Sequence, residues 1–320
     1  MYGEMDARTP HQSLLAAIDI GTNTIRLLVA LPVRDGDALG LSPIATHTAT
    51  VRLGHGVERT GRIEPERLAR AVATVEEYRR IAADLGAAPI LLAATSAVRD
   101  AAQGDELRER IAATSGLVLP IVSGEREAAL TFAGATVGQP LVGTLLVGDL
   151  GGGSLELIVS RDGLIDSACS LQLGSGRLTE RHVTADPPTR AMIAAVEADA
   201  RATLAPEAAA APPIDRLIIV GGTATSLPIL APHPREATIL TARRLAGASA
   251  ILTGATVGSL AAETGLDPER VRTLPAGVAI IGALLDAFGL DTATIGTGGI
   301  REGLLLDYLR NVDRTQVRDS

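Results

Sequence analysis

The chain has 320 residues, of which 46% are hydrophobic and 2% aromatic, with no Trp and a net charge of −8. That length allows two domains with ample core, and the acidic balance argues against a protein that coats nucleic acid. All 29 basic residues are Arg, which excludes a Walker-type GK[ST] loop, a Schiff-base lysine and a lysine general base.

A single cysteine, Cys169, allows no intramolecular disulfide and no cysteine metal cluster. The five histidines (His11, His47, His55, His182 and His233) show no zinc-ligand spacing. The N-terminus MYGEMDARTPHQ is polar and acidic, not a signal peptide, and no apolar run approaches 18 residues. A cytoplasmic protein without membrane or nucleic-acid partners is expected, with residues 1–13 as a flexible N-terminus.

In chain order, LLAAIDIG (14–21) reads as a buried strand and TIRLLVALP (24–32) as a second strand close behind it, so a hairpin is predicted. SPIATHTATVRLG (42–54) extends the same sheet. From 63 to 86 the period changes to that of a helix, with Pro65 near its start and Gly86 at its end. PILLAATSAVRDA (89–101) is a strand leading into a helix, 104–116 a helix, LVLPIVSG (117–124) a strand and 125–138 a helix. Residues 144–174 read as three strands joined by a glycine turn and a DG turn. A long helix over 187–205, an Ala/Pro linker over 206–213 and a strand-to-helix turn over 216–230 follow. Helices around 242–252, 256–263 and 274–288, a short strand (292–299) and a terminal helix complete the chain.

This order predicts an α/β protein of two domains with mixed sheets, related by duplication. The boundaries are 14–124 and 125–310, with a tail from 311 to 320 and a terminal helix able to pack back on the first domain.

Two stretches carry the chemistry. DLGGGSLELIV (149–159) repeats the skeleton of DIGTNTIRLLV (19–29): an Asp, an aliphatic, a glycine, small residues, Ser or Thr, then a strand. Turns of this kind expose backbone N–H groups to an anion, and Gly151, Gly152 and Gly153 permit close backbone approach. Thr22, Thr24 and Ser154 add hydroxyls. Asp19 and Asp149 would repel phosphate directly, so a hard cation between them is the natural inference. Taken singly, either turn also reads as an ordinary hairpin turn. The dinucleotide fingerprint fails, because a strand and not a helix follows the glycines.

VSGEREAAL (122–130) places acids at a helix start, and spacing alone leaves Glu125 and Glu127 equal as candidates for a general base. Arg99 in ATSAVRD reads equally as a phosphate ligand or as a surface helix arginine, and VGGTATSL with Gly221, Gly222 and Thr223 is open between a phosphate, a nucleoside and no ligand. Cys169 reads as a buried small hydrophobe.

Together with LGSGRLTE, DPPT, LPAG and GGIREGLLL, these motifs resemble the exopolyphosphatase / guanosine pentaphosphate phosphohydrolase family over about residues 14–310. That family belongs to the actin, sugar-kinase and heat-shock-ATPase superfamily. The resemblance implies two ribonuclease-H-like domains with an interdomain cleft. It implies Mg²⁺- or Mn²⁺-dependent release of terminal phosphate from inorganic polyphosphate, or of the 5′ γ-phosphate of guanosine pentaphosphate. It assigns the catalytic base to Glu127, matches Asp149 and Gly151 to Ser154 to the family's second phosphate motif and Asp19, Gly21, Thr22, Asn23 and Thr24 to the first, and matches Arg99 to its phosphate-contacting arginine.

Arg126 and Arg272 depart from the family pattern. The further C-terminal helical domain of long members is absent, which favours shorter polyphosphate. A homodimer is compatible with the family. A non-catalytic phosphate or nucleotide sensor and a small-molecule kinase of the same fold are the rival readings.

Overall fold

The structure, a computed structural model, describes residues 13–36, 38–99, 101–230, 238–296 and 298–319. The expectations placed on residues 1–12 and on His11 and His233 lie outside these. The described chain divides into two compact units, one running to Ser123 and resuming at Ile300, the other spanning Gly124–Gly299.

The first unit contains β1 (Leu15–Ile20), β2 (Thr24–Asp35), β3 (Ala38–Thr50), α1 (Val57–Thr60), α2 (Pro65–Asp84), β4 (Ile90–Ala94), α3 (Ser96–Arg99) and α4 (Gly104–Ser115). Its sheet has the order β3-β2-β1-β4, with β1 antiparallel to β2 and parallel to β4. β1 is apolar almost throughout because both of its faces are covered. Ala16, Ile18 and Ile20 pack with Leu68, Val75, Leu107 and Ile111 from α2 and α4. Leu15 and Ala17, on the other face, pack with Leu305 and Leu309 of the last helix. Asp19 continues that second face by the two-residue alternation of a strand.

The second unit contains α5 (Gly124–Ala135), β5 (Thr144–Leu150), β6 (Leu155–Arg161), β7 (Leu164–Leu171), α6 (Ser175–His182) and α7 (Arg190–Ala210). It continues with β8 (Arg216–Val220), α8 (Gly222–Leu230), β9 (Ile239–Thr241), α9 (Ala242–Gly254), α10 (Val257–Thr264), α11 (Pro268–Ala287) and β10 (Thr292–Ile295). The sheet order is β7-β6-β5-β8-β10-β9. Leu146, Leu150, Leu217 and Ile219 face the large core built with α7 and α11. Leu145, Val147, Ile158, Ile218 and Val220 face α5 through Ala128, Phe132 and Ala135. α12 (Ile300–Asp319) returns to the first unit, where Arg301 Nη1 donates to the Leu27 carbonyl at 3.2 Å.

The duplication extends to details of register. β2 shifts register against β3 between Val29 and Ala30, and β6 shifts against β7 between Val159 and Ser160. These are the same steps of the two copies.

Several sequence expectations are corrected. The strand predicted over 117–124 reduces to one bridge, Ala94 to Ile121, because Pro120 has no N–H to continue a ladder. The linker predicted over 206–213 is helical as far as Ala210, with Pro206 inside α7. Alanine's helix propensity and the buried Leu204 just before it carry the helix past the one donor that Pro206 lacks. α11 begins at Pro268, not 274, because Asp267 caps the amides of Glu269 and Arg270. α6 and β9 were not anticipated, and the segment read as a tail from 311 is helical to Asp319. No single described helix is long and apolar enough to cross a membrane.

Candidate active site

β5 and β6 form an antiparallel pair in which Leu150 faces Leu155 and Asp149 faces Glu156. Directly opposed residues of such a pair share one sheet face. Asp149 and Glu156 therefore both lie on the α5 face, with Leu145, Val147 and Ile158. α5 brings Glu127 onto this face, and Thr131, one turn later, donates its hydroxyl to Asp149 Oδ2 at 3.3 Å. Glu127 is 6% and Glu156 2% exposed. Glu125 and Arg126, by contrast, lie in the exposed part of the first turn.

The electrostatic consequence falls on Glu156. Burial, then the Glu127 carboxylate, then that of Asp149 push its carboxyl up to about 8, against hydrogen bonds from Ser154 and Ser170 that pull it down. Ser170 Oγ donates to Glu156 Oε1 at 2.9 Å. Glu156 belongs to the repeated motif DLGGGSLELIV, in which no role for it follows from residue type alone. Its signal was present, because a four-residue turn between paired strands sets residues 149 and 156 opposite each other.

The glycine loop closes with Gly151 N donating to Ser154 O at 3.0 Å. In the first unit Gly21 N donates to Thr24 O, also at 3.0 Å. The carbonyls of Thr22 and Asn23 accept from the amides of Gly54, Val51 and Arg52. Since C=O and N–H point opposite ways across a trans peptide, the amides of Asn23 and Thr24 are turned away from that segment. Thr95 N donates to Ile20 O at 3.2 Å, which sets the start of α3 beside the end of β1. Arg99, one turn on, donates Nη1 to the Val122 carbonyl at 2.9 Å, using one of its five donors.

A third turn approaches Asp149 within the second unit. Gly221 has φ of +102°, and a Cβ there would collide with the Leu150 carbonyl and come within 3.2 Å of Asp149 Oδ1. A Cβ on Gly222 would strike the guanidinium of Arg270. A cation is thus held at the N-terminus of α8, the end at which a helix itself favours an anion. Arg270 lies outside every motif legible in the sequence, where Arg272 is the arginine that stands out.

Thr223 is placed differently from the rest. It is 0% exposed, and its hydroxyl packs on Gly277 of α11 without a hydrogen-bond partner. Its side chain therefore faces the helix packing, away from solvent, while Gly221 lies beside Asp149 and Gly222 beside Arg270.

The donor set suits a hard cation. Two acids face each other across a strand pair with a third on the adjoining helix, and a divalent ion would relieve their repulsion. Among the described residues no three metal-binding side chains form a ready-made cage.

The profile of the Ppx/GppA phosphatase family matches residues 32–312. An exopolyphosphatase 1 of Mycobacterium leprae is 31% identical, over 96% of this chain and 94% of its own. A guanosine-5'-triphosphate,3'-diphosphate pyrophosphatase of Vibrio atlanticus is 27% identical, over 98% of this chain and 62% of its own length. Among solved structures, an exopolyphosphatase-like protein superposes with a TM-score of 0.83 at 29% identity, covering 94% of this chain and 99% of that one.

Proposed function

As the chain belongs to the Ppx/GppA phosphatase family, we propose that it is an exopolyphosphatase that releases orthophosphate from the end of inorganic polyphosphate. The observation that carries this reading is the cluster of Glu127, Asp149 and Glu156 beside a glycine loop whose peptide planes are fixed.

In this reading Glu127 is the general base. It takes a proton from water as the water oxygen bonds to the terminal phosphorus and the phosphoanhydride P–O bond breaks; the shortened chain leaves with that oxygen. Asp149 and Glu156 would hold a divalent cation, which when bound neutralises charge on the phosphoryl oxygens. The amides of Gly152, Gly153 and Ser154 meet the developing charge on the transferring oxygens, and Arg270 adds positive charge at the Gly221–Gly222 turn. Phosphate binding is likewise assigned to the Gly21–Thr24 turn and Arg99 of the first unit, with Asp19 at the head of that turn.

The likeness to the Vibrio atlanticus pyrophosphatase supports a second substrate reading, removal of the 5′ terminal phosphate of guanosine pentaphosphate at the same residues. Phosphate release measured in parallel on short polyphosphate, long polyphosphate and guanosine pentaphosphate, with Mg²⁺ and with chelator, separates the two. Glu127→Gln is expected to lower turnover by roughly 10²- to 10⁴-fold, the usual worth of a positioned base. Near-normal release by that variant would remove Glu127 from the mechanism, and turnover surviving the chelator would remove the cation.

A further inference from the structure

Three consecutive glycines are the least constrained backbone a chain can offer, since glycine has the most conformational freedom to lose on folding. A loop meant to present amides to an anion needs that freedom removed beforehand. In the second unit the removal comes from α6.

α6 starts at Ser175 after Gly174, which has no side chain with which to cap the helix. The first amides of a helix need acceptors from outside it. Here the glycine loop supplies them: Ser175 N donates to Gly151 O at 3.0 Å and Arg177 N to Gly152 O at 2.9 Å. Two side chains complete the set, with Ser175 Oγ donating to Gly151 O at 3.2 Å and Arg177 Nε to Gly153 O at 2.8 Å. The carbonyls of Gly151, Gly152 and Gly153 all point to one helical turn.

Each of those carbonyls shares a trans peptide with the next residue's N–H, which points the opposite way. The amides of Gly152, Gly153 and Ser154 are therefore directed away from α6 together. The corresponding turn of the first unit is held by backbone amides of residues 51–54. In the second unit the last carbonyl is held by a side chain, that of Arg177.

We propose that Arg177 is a positioning residue: by donating to the Gly153 carbonyl, it presets the loop amides for a phosphoryl anion. The inference rests on the phosphohydrolase reading for the identity of the anion, and its test does not require turnover.

Two measurements test it. The first is calorimetric titration of tripolyphosphate with Mg²⁺ into the wild-type protein, Arg177→Met, Arg177→Lys and, as a control on the same helix, Arg181→Met, whose guanidinium pairs with Asp199. Removing a charge-assisted hydrogen bond that orders the loop is expected to weaken binding roughly 10- to 100-fold in Arg177→Met. Arg177→Lys, which retains a donor, should recover most of the affinity, and Arg181→Met should match the wild type. The second is amide hydrogen exchange in the ligand-free wild type, where the amides of Ser175 and Arg177, which donate to the loop carbonyls, should be protected, with that protection reduced in Arg177→Met.

Unchanged affinity in Arg177→Met, or wild-type Ser175 and Arg177 amides exchanging at unstructured-chain rates, overturns the proposal; the second result does so even if the variant fails to fold. Failure of the wild type to bind tripolyphosphate overturns it too. Binding without phosphate release refutes the hydrolytic reading alone and leaves the comparison of affinities to decide the role of Arg177.

Discussion

Asp149 stands directly opposite Glu156 across the β5–β6 pair, carboxyl facing carboxyl. At the same step of the first copy, Asp19 stands opposite Arg26. Opposite charges in that position support a sheet and like charges weaken it, each by some tenths of a kcal/mol to about 1 kcal/mol when exposed. Burial makes the second case worse. The duplicated hairpin thus pairs an acid with a base in one copy and two acids in the other, which is where a cation has most to offer.

The pH dependence of stability follows. Glu156 binds its proton more tightly in the folded chain than in the unfolded one, where its carboxyl titrates near 4.5. The metal-free protein should therefore lose stability as the pH rises from the ordinary glutamate range through about 8. Thermal unfolding in chelator between about pH 5 and pH 8 should show this decline. Glu156→Gln should flatten it, and added Mg²⁺ should do the same in the wild type. Equal slopes for wild type and variant would show that Glu156 is not the group responsible.

Gly174 has no room for a side chain, since a Cβ would land on the backbone of Gly152 and Gly153. Gly174→Ala is expected to cost about 1–3 kcal/mol by overpacking. It should also weaken phosphate binding, because the loop must move away from α6 to admit the methyl group. Denaturant unfolding and tripolyphosphate titration check the two effects separately. A variant with wild-type affinity would mean that the loop tolerates displacement.

Thr223 offers a gain. Its hydroxyl is buried without a hydrogen-bond partner, so Thr223→Val removes a polar atom that carries a desolvation penalty. A stability increase of up to about 1 kcal/mol is expected, with turnover unchanged. Loss of phosphate affinity in this variant would return the hydroxyl to the site.

Cys169 is half-buried and its Sγ lies 3.4 Å from Glu207 Oε2. Burial, followed by that carboxylate, pushes the thiol up to about 12. Alkylation by iodoacetamide at mildly alkaline pH should be much slower in the folded protein than in denaturant, because the thiolate is the reacting species. Comparable rates would place the thiol in solvent.

Much of this was legible beforehand because it is local. Apolar runs and glycine turns mark strands, and a three-to-four-residue period marks helices, so the first hairpin of each unit and most helices could be read directly. The misreadings have physical causes. Pro206 looked like a helix stop, yet the alanines around it continue α7. LVLPIVSG is as apolar as a strand, but Pro120 limits it to a single bridge.

The candidate site divides along the same line. Asp149, the glycine loop and the two glutamates of α5 are visible as sequence motifs. That Glu125 is exposed and Glu127 buried depends on which face of α5 meets the sheet. Arg270 and the inward turn of Thr223 depend on how α11 packs on α8.

By itself, then, the sequence determined the element types, the duplicated hairpin and the residues able to carry phosphate chemistry, since propensity and periodicity act over a few neighbouring residues. Only the tertiary structure decided that Glu156 confronts Asp149, that α6 turns the carbonyls of the glycine loop to one side, and that the last helix joins the first unit. Those outcomes depend on register and on contacts between segments far apart in the chain, which no local pattern encodes.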